Sequence, residues 1–278
     1  MLELTGMGSV LRGIGFLYWA LAIGAVVLAI RYGKGTRGKI IWATVAVAAF
    51  GYLPGKVMIE QHQRDAYAKE AWAYFKKLCD EKSGEKIYKT HTGVKSVLVV
   101  KPLPPATEKD LYDQFWYGDP YSNATPWSER GEQAATNLTA HSRRPSGPQK
   151  GLDFVEIKDE AGTGYTKIIR AVSNDKLAVK ERIQVPVSRF GVAWEDISTP
   201  ENRKYWVAGS RLRVIDLADN TVVAERIGYF IEAGFGSTAG QRRPWLTSRG
   251  PSTTCPPLLG LTYSDNWFIS NVFKLDRE

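Results

Sequence analysis

The sequence predicts an α+β protein: an N-terminal transmembrane helical hairpin, followed by a mostly antiparallel, β-rich soluble domain with an amphipathic entry helix. Three observations predict this. There are two long uncharged runs near the N-terminus, a helix-periodic apolar pattern just after them, and alternating strand-like segments from residue 152 onward. The chain has 278 residues, of which 44% are apolar and 24% are charged. This length accommodates about two domains, and the composition excludes a chain that is disordered throughout.

Both candidate membrane spans lie in the segment 1–57. Ile14–Ile30 reads IGFLYWALAIGAVVLAI and holds no charge, and Ile40–Pro54 is a second uncharged run. A bilayer core needs about 20 helical residues, so we expect spans over about residues 9–30 and 40–59, with Arg12 and Lys56 near the interface. Two alternatives stay open. One is a buried soluble hairpin, and the other is a cleaved signal peptide for the first run, although residues 1–9 lack the basic segment of such a peptide.

The loop between the two runs predicts the orientation. Arg31–Lys39 carries four basic residues and no acidic one, and short basic loops stay in the cytoplasm. The N-terminus and the domain of residues 58–278 are therefore expected outside the cytoplasm. Lys56, Arg64 and Lys69 follow the second run, and their positive charge partly balances that of the loop.

The net charge of +8 is concentrated in the hairpin. Segment 1–57 holds six basic residues and one acidic residue, which is +5 of the total, so segment 58–278 carries only +3. A protein that binds nucleic acid is expected to present a stripe of basic residues that neutralises phosphates. The soluble domain has no such stripe, so no nucleic-acid partner is expected.

The soluble domain begins with the predicted entry helix of residues 58–79. Its Ala68, Ala71, Trp72, Phe75 and Leu78 follow 3-and-4 spacing, which places them on one face. We expect this face to pack on the domain, with a membrane-lying or partner-binding helix as the alternative.

Six to eight strands are predicted after this helix. The segments LDFVEIK and YTKIIRAV flank a glycine-bearing turn, and WVAGSRLRVIDL and TVVAERIGYFIEA flank Ala218–Asn220, so each pair predicts a β-hairpin. Thr107–Asp110 resembles a helix-capping box. Residues 117–151 predict a long surface segment, and Asn266–Leu275 predicts a last strand or a short helix.

The two cysteines, Cys79 and Cys255, predict one disulfide bond. They lie far apart in the sequence, in a domain that is expected outside the cytoplasm. The alternatives are two unrelated buried thiols and a nucleophilic cysteine.

The candidate recognition surface is formed by aromatic and charged residues of two loop-rich segments. Aromatic side chains in loops suit a surface that binds a partner. The candidate residues are Asp113, Trp116, Tyr117, Asp119, Tyr121, Trp127, Ser237, Arg242, Arg243 and Trp245.

No complete catalytic, cofactor-binding or metal-binding motif is present in the sequence. GFGSTAG (residues 234–240) lacks the lysine of a phosphate-binding loop, and His62, His91 and His141 have no metal-ligand spacing. We therefore expect no cofactor and no metal. The carboxylates Asp110, Asp113 and Asp119 leave open an enzyme that uses two of them as acid and base.

Four segments carry a resemblance to a known group of proteins. YWVAGSRLRVIDL, AERIGYF, GSTAGQRRPW and CDEKSGEKIYKT resemble segments of uncharacterised membrane-anchored proteins of proteobacteria, over roughly residues 76–260. The resemblance implies the envelope of a Gram-negative bacterium, but it implies no activity and no catalytic residue.

These observations favour a protein of the bacterial inner membrane with its C-terminal domain in the periplasm. The leading hypothesis is a non-enzymatic domain that binds a protein or an envelope ligand, as a sensor, an accessory subunit or an immunity-type inhibitor. The expected partners are the lipid bilayer and that ligand, and the sequence predicts no oligomeric state. The alternatives are an envelope-acting hydrolase that uses the loop carboxylates and a cytosol-facing membrane effector.

Overall fold

The structure, a computed structural model, describes residues 4–101, 106–116, 118–123, 136–139, 142–144, 147–149, 151–159, 162–169, 179–246, 250–257 and 264–275. The chain divides into two compact units, Met1–Lys69 and Glu70–Glu278.

The first unit consists of helix α1 (Leu4–Tyr32) and the first part of helix α2 (Gly35–Lys82). Gly35 begins α2 in the left-handed region, with φ of +67°, which glycine adopts without steric cost. Tyr18 donates a hydrogen bond to the carbonyl oxygen of Phe50, and the two rings lie 5.7 Å apart, so the helices pack against each other. Both helices are long enough and apolar enough to cross a membrane. Their mean hydropathy reaches 2.2 in α1 and 1.5 in α2.

Helix α2 is one continuous helix of 48 residues. The sequence predicts a second span over about residues 40–59 and an entry helix over residues 58–79. Both lie in this one helix, which passes through Pro54 without ending. Proline is tolerated when neighbouring groups satisfy the carbonyl that it leaves free. Just beyond it, Lys56 and Glu60 form an i,i+4 ion pair of 3.8 Å, which favours continued helix.

The last part of α2 belongs to the second unit and packs through its predicted apolar face. Ala71, Phe75 and Leu78 are buried, and Trp72 is half-buried with its ring 5.8 Å from that of Phe75. The expectation that this face packs on the domain is therefore confirmed.

The second unit is built on a mixed β-sheet. Its strands are β1 (Gly84–Ile87), β2 (Ser96–Lys101), β5 (Phe154–Lys158), β6 (Tyr165–Ile169), β7 (Val179–Ile183), β8 (Phe190–Asp196), β9 (Val207–Asp216), β10 (Thr221–Ile231) and β11 (Thr254–Cys255). The strand order is β1-β10-β9-β8-β2-β5-β6-β7, and β11 pairs with β10. Strands β3 (Ser142–Arg144) and β4 (Gly147–Gln149) form a separate two-stranded sheet.

The sheet contains the two predicted hairpins, β5–β6 and β9–β10, both antiparallel. Strand β2 departs from the predicted antiparallel pattern, because it runs parallel to both β5 and β8. The chain leaves β2 at Lys101 and enters β5 only at Phe154, and such a long connection permits a crossover rather than a hairpin.

Short helices complete the unit. Among those that the structure describes are α3 (Pro120–Asn123), α4 (Pro200–Lys204) and α5 (Ser264–Phe273), together with 3-10 turns at Lys109–Tyr112 and Pro244–Leu246. Residues 136–139 are also helical. The C-terminal segment Asn266–Leu275, for which the sequence predicts a strand or a short helix, is helical over Ser264–Phe273. Thr199 caps α4 through a capping box with Asn202.

The hydrophobic core lies between α5 and one face of the sheet. Trp194, Leu212, Phe268, Ile269 and Phe273 are among its fully or almost fully buried residues. Side chains alternate between the two faces along β8 and β9, so the intervening side chains of these strands belong to the other face.

Candidate functional site

Two loops that are distant in the sequence meet at one end of the domain. The indole nitrogen of Trp245 donates to the carbonyl oxygen of Asp113 over 2.7 Å, and Nε of Arg243 lies 2.7 Å from Oε1 of Glu108. We call these segments, residues 106–116 and 232–246, the loop pair. It brings together most of the segments that the sequence selects as a recognition surface.

The first loop is held by local hydrogen bonds. The amide and the hydroxyl of Thr107 each donate to Oδ2 of Asp110 over 2.7 Å, and the amide of Asp110 donates back to Thr107 over 3.3 Å. These are the reciprocal bonds of the predicted capping box. The side-chain amide of Gln114 donates to the carbonyl oxygens of Arg203 and Lys204 over 2.8 and 2.9 Å, which ties the loop to α4.

The second loop folds around a buried carboxylate. Glu232 is fully buried, and it accepts hydrogen bonds from the amides of Gly234 over 3.0 Å and Gly236 over 2.7 Å. Arg242 forms an ion pair with the same carboxylate. The backbone amides of this glycine-rich loop, which resemble a nest for an external anion, are therefore occupied by the chain's own glutamate.

Several residues predicted for the recognition surface are interior residues. The exposed fractions are 7% for Trp116, 0% for Asp119, 2% for Tyr121 and 0% for Trp245. Large aromatic side chains stabilise a domain most when they are buried, which explains their position. These four residues are therefore part of the interior of the domain and are not available to a partner.

Trp245 shows how the interior supports the loops. Its ring lies 5.1 Å from that of Trp206 and 6.3 Å from that of Phe230, and the guanidinium carbon of Arg203 lies 5.0 Å from the ring centroid. The contact with Arg203 is a cation–π interaction in a buried setting. The indole therefore joins the second loop to the sheet and to α4.

The remaining candidate residues divide into exposed and undescribed ones. Asp113, Ser237 and Arg243 are exposed, and Arg242 is partly exposed. Tyr117 and Trp127 lie outside the described residues.

The aromatic side chains that the loop pair does expose are Tyr112 and Phe115, with exposed fractions of 42% and 59%. Neither residue belongs to the recognition surface that the sequence predicts. Phe115 follows the fully buried Leu111 by four positions, which in a helix would place it on the same buried face. The 3-10 turn ends at Tyr112, and Asp113 is extended, so this spacing no longer applies. The amide of Phe115 donates to Oδ1 of Asp113 over 2.9 Å, which fixes the turn that exposes the ring.

Arg203 is the buried cation beneath the loop pair. Its guanidinium donates to Asp196 over 3.0 Å and to the carbonyl oxygen of Gly118 over 2.7 Å. Burial lowers the pKa of Arg203, and the neighbouring carboxylate of Asp196 opposes this effect. A buried guanidinium in this position fixes the relative placement of α4 and the segment before α3.

The carboxylates of the first loop have different environments. Asp113 is exposed, whereas Asp119 is fully buried and accepts a hydrogen bond of 2.5 Å from the hydroxyl of Ser210. An acid–base pair of a glycosidase needs both carboxyl groups to reach the substrate. The enclosure of Asp119 therefore argues against the hydrolase that uses these two residues.

A second buried polar group lies beside Tyr121. Arg226 forms an ion pair with Asp265, and the indole nitrogen of Trp194 donates to the same carboxylate over 3.0 Å. Burial raises the pKa of Tyr121 to about 12, although the nearby Arg226 opposes this. Tyr121 is therefore a neutral phenol at physiological pH, and it packs in the interior.

Cys79 and Cys255 lie at disulfide distance, with their Cα atoms 5.6 Å apart and a bond between the sulfur atoms. Cys255 belongs to β11, which pairs with β10, and Cys79 belongs to the last part of α2, within the second unit. Nearby, the side-chain amide of Asn202 donates to the hydroxyl of Tyr74 over 2.9 Å. The bond and this contact fasten the end of α2 to the domain.

Within the described part of the chain, no three side chains of histidine, cysteine, aspartate or glutamate come together as metal ligands. The chain matches no family model, no curated protein and no solved structure.

Proposed function

We propose that this chain is a membrane-anchored binding protein of the bacterial inner membrane. In this proposal its periplasmic domain binds a partner protein or envelope ligand through the loop pair, without catalysis. The observation that carries the proposal is the pair of exposed aromatic side chains, Tyr112 and Phe115, on a loop that buried groups hold in one conformation.

Rigid aromatic side chains on a preorganised loop favour binding. An exposed aromatic ring buries a large apolar area on contact, and it loses little conformational entropy because it has two torsions. The loop pair adds the exposed Asp113 and the ion pair of Arg243 and Glu108 around these rings. An apolar centre with a polar rim is the usual anatomy of a binding surface.

Membrane anchoring is supported by helices α1 and α2 and by the basic segment Arg31–Lys39 between the two uncharged runs. The periplasmic location is supported by the bond between Cys79 and Cys255, since disulfides persist in oxidising compartments. The resemblance to membrane-anchored proteins of proteobacteria agrees with both.

Thiol labelling in intact cells tests the location. A membrane-impermeant maleimide is expected to label Cys79 and Cys255 only after a reductant has been added. If these thiols become reactive only after lysis, with no reductant needed, the domain faces the cytosol. That outcome would favour the membrane-effector alternative over this proposal.

Site-specific photocrosslinking tests the binding surface. A photoreactive amino acid at position 115 is expected to give a discrete adduct in intact cells. The control position is Tyr88, whose exposed fraction of 61% is similar to the 59% of Phe115. If cells that lack this protein show a phenotype, the substitutions Phe115→Ser and Tyr112→Ser should reproduce it. The melting temperature of both variants should stay unchanged. Identical adducts at both positions would refute the loop pair as the binding surface.

The same cellular assay distinguishes the binding proposal from the hydrolase alternative. Asp113→Asn keeps the size of the side chain and removes its charge, so a hydrolase that uses Asp113 should lose its phenotype completely. For a binding surface with Phe115 and Tyr112 at its centre, Asp113→Asn should have a smaller effect than Phe115→Ser.

A further inference from the structure

The sheet has a second face that carries charged side chains. Ala193, Glu195, Arg211 and Arg213 alternate with core residues along β8 and β9, and the register places Arg211 opposite Glu195 and Arg213 opposite Glu225. These side chains therefore lie on the face opposite the α5 core. We call Lys101, Glu195, Arg211, Arg213 and Glu225 the open face.

The open face is a single ionic network across four strands. Glu195 forms an ion pair with Arg213, lies 3.7 Å from Nη1 of Arg211, and lies 3.9 Å from Nζ of Lys101. Nε of Arg211 lies 3.3 Å from Oε2 of Glu225. The two carboxylates hold the arginine side chains over the sheet, which preorganises them for an external ligand.

The cations of this network outnumber the carboxylates. Three basic side chains share two acidic ones, and Lys86 lies opposite Glu225 in the register of β1 and β10. The distances from Arg211 to Glu195 and Glu225 exceed the roughly 2.8 Å of a close charge-assisted hydrogen bond. Each guanidinium has five N–H donors, so an incoming carboxylate can bind without displacing the bracing glutamates.

The open face is accessible to solvent and has an apolar neighbour. The side chains of Arg211 and Arg213 are 36% and 29% exposed, and that of Lys101 is 61% exposed. Val100 is 47% exposed, and it packs directly on Gly191. A Cβ atom at Gly191 would lie 2.6 Å from Cγ2 of Val100. An apolar contact beside an array of cations suits a protein segment better than a small inorganic ion.

We infer that the open face binds an acidic segment of a partner protein. The carboxylates of that segment pair with Arg211, Arg213 and Lys101, and an apolar side chain of the segment covers Val100. Charge complementarity is the basis for this choice of occupant. The inference goes beyond the loop-pair proposal, because it concerns a different set of residues on a different face of the sheet.

The test uses the full-length chain in phosphatidylcholine nanodiscs, whose lipid carries no net charge. The probe is a fluorescent ten-residue peptide of glutamate and leucine, and a lysine and leucine peptide of the same length is its counterpart. We expect the glutamate peptide to bind in a salt-dependent manner and the lysine peptide to bind at least about 10-fold more weakly.

The variant Arg211→Gln/Arg213→Gln should bind the glutamate peptide at least about 10-fold more weakly than the unaltered chain. The matched control, Lys76→Gln/Lys204→Gln, removes the same charge at side chains that are 74% and 59% exposed and lie elsewhere. It should keep the unaltered affinity. The inference is overturned if the two double variants lose equal affinity, or if the glutamate peptide does not bind.

A milder variant controls for the possibility that the double arginine variant does not fold. Lys101→Gln changes a side chain that is 61% exposed, so it should weaken the peptide several-fold without lowering the melting temperature. Phe115→Ser should leave peptide binding unchanged. If Phe115→Ser removes the function of the protein in cells and the variant still binds the peptide, the loop pair and the open face act independently. An unchanged affinity in Lys101→Gln and in the arginine variant together would refute the open face.

Discussion

The indole nitrogen of Trp245 lies 2.7 Å from the carbonyl oxygen of Asp113, although the two residues are 132 positions apart in the sequence. The ring of Trp245 is fully buried, whereas Asp113 is exposed. An interior residue therefore sets the position of a surface loop. The shape of the proposed binding surface depends on packing beneath it as much as on the side chains that a partner can touch.

Trp245→Phe should destabilise the domain by about 2 kcal/mol, because it removes the hydrogen bond from the indole to Asp113 and part of a fully buried ring. The carbonyl oxygen of Asp113 then keeps only the bond from the amide of Trp116, of 3.2 Å. The measurement is chemical denaturation of the detergent-solubilised chain. Trp72→Phe makes the same exchange at a half-buried ring and should cost less. Equal losses for the two variants would contradict a special role for the hydrogen bond of Trp245.

Gly228→Ala should destabilise the domain by about 1–3 kcal/mol through overpacking. A Cβ atom at Gly228 would lie 2.4 Å from Cζ of Tyr121, a contact that requires the ring to move. Gly250→Ala is the control, since nothing lies within 4 Å of its added carbon. Thermal unfolding should show a lower midpoint for the first variant only. An unchanged midpoint for Gly228→Ala would mean that Tyr121 relocates at no cost.

We expect the environment of His91 to make the domain less stable in mild acid. Burial lowers the pKa of His91, Lys89 and Arg189 lower it further, and Asp216 opposes them. The folded state therefore favours the neutral imidazole, so the stabilisation is complete above the unfolded pKa of about 6.5 and is lost as the pH falls below it.

His91→Gln should remove this part of the pH dependence. The measurement is the melting temperature between pH 7.5 and pH 5, with His62→Gln as the control at an exposed position. Parallel pH profiles for the unaltered chain and for His91→Gln would show that another group is responsible.

Reduction of the bond between Cys79 and Cys255 should destabilise the domain. The two residues are 176 positions apart, and the chain-entropy model gives about 5 kcal/mol for closing a loop of that length. Thermal unfolding with and without a reductant measures the effect. The variant Cys79→Ser/Cys255→Ser should not respond to the reductant, and any response from it would reveal an effect unrelated to this bond.

Local patterns in the sequence predict the local elements of the fold. Alternation and turn residues predict the β5–β6 and β9–β10 hairpins, and 3-and-4 spacing predicts the packed face of Ala71, Phe75 and Leu78. These patterns depend on near neighbours in the sequence. The parallel position of β2 depends on β5 and β8, which lie far from it along the chain, and no local pattern contains that information.

The candidate site is predictable at the level of segments and not of side chains. The sequence selects two loops, and the structure brings them together through Asp113 and Trp245. The sequence does not distinguish the buried Trp116 from the exposed Phe115, because both are large aromatic residues of one loop. Burial of each ring depends on where the 3-10 turn ends, and boundaries are the least certain part of a sequence prediction.

The bond between Cys79 and Cys255 also has a mechanical consequence. It joins Cα atoms that are 5.6 Å apart in space and 176 positions apart in the sequence, and the chain between them contains every strand from β1 to β10. Tension applied between the end of α2 and helix α5 would travel through the sulfur atoms and would leave the sheet unstretched. While the bond is intact, pulling on the C-terminus can extend only the residues that follow Cys255.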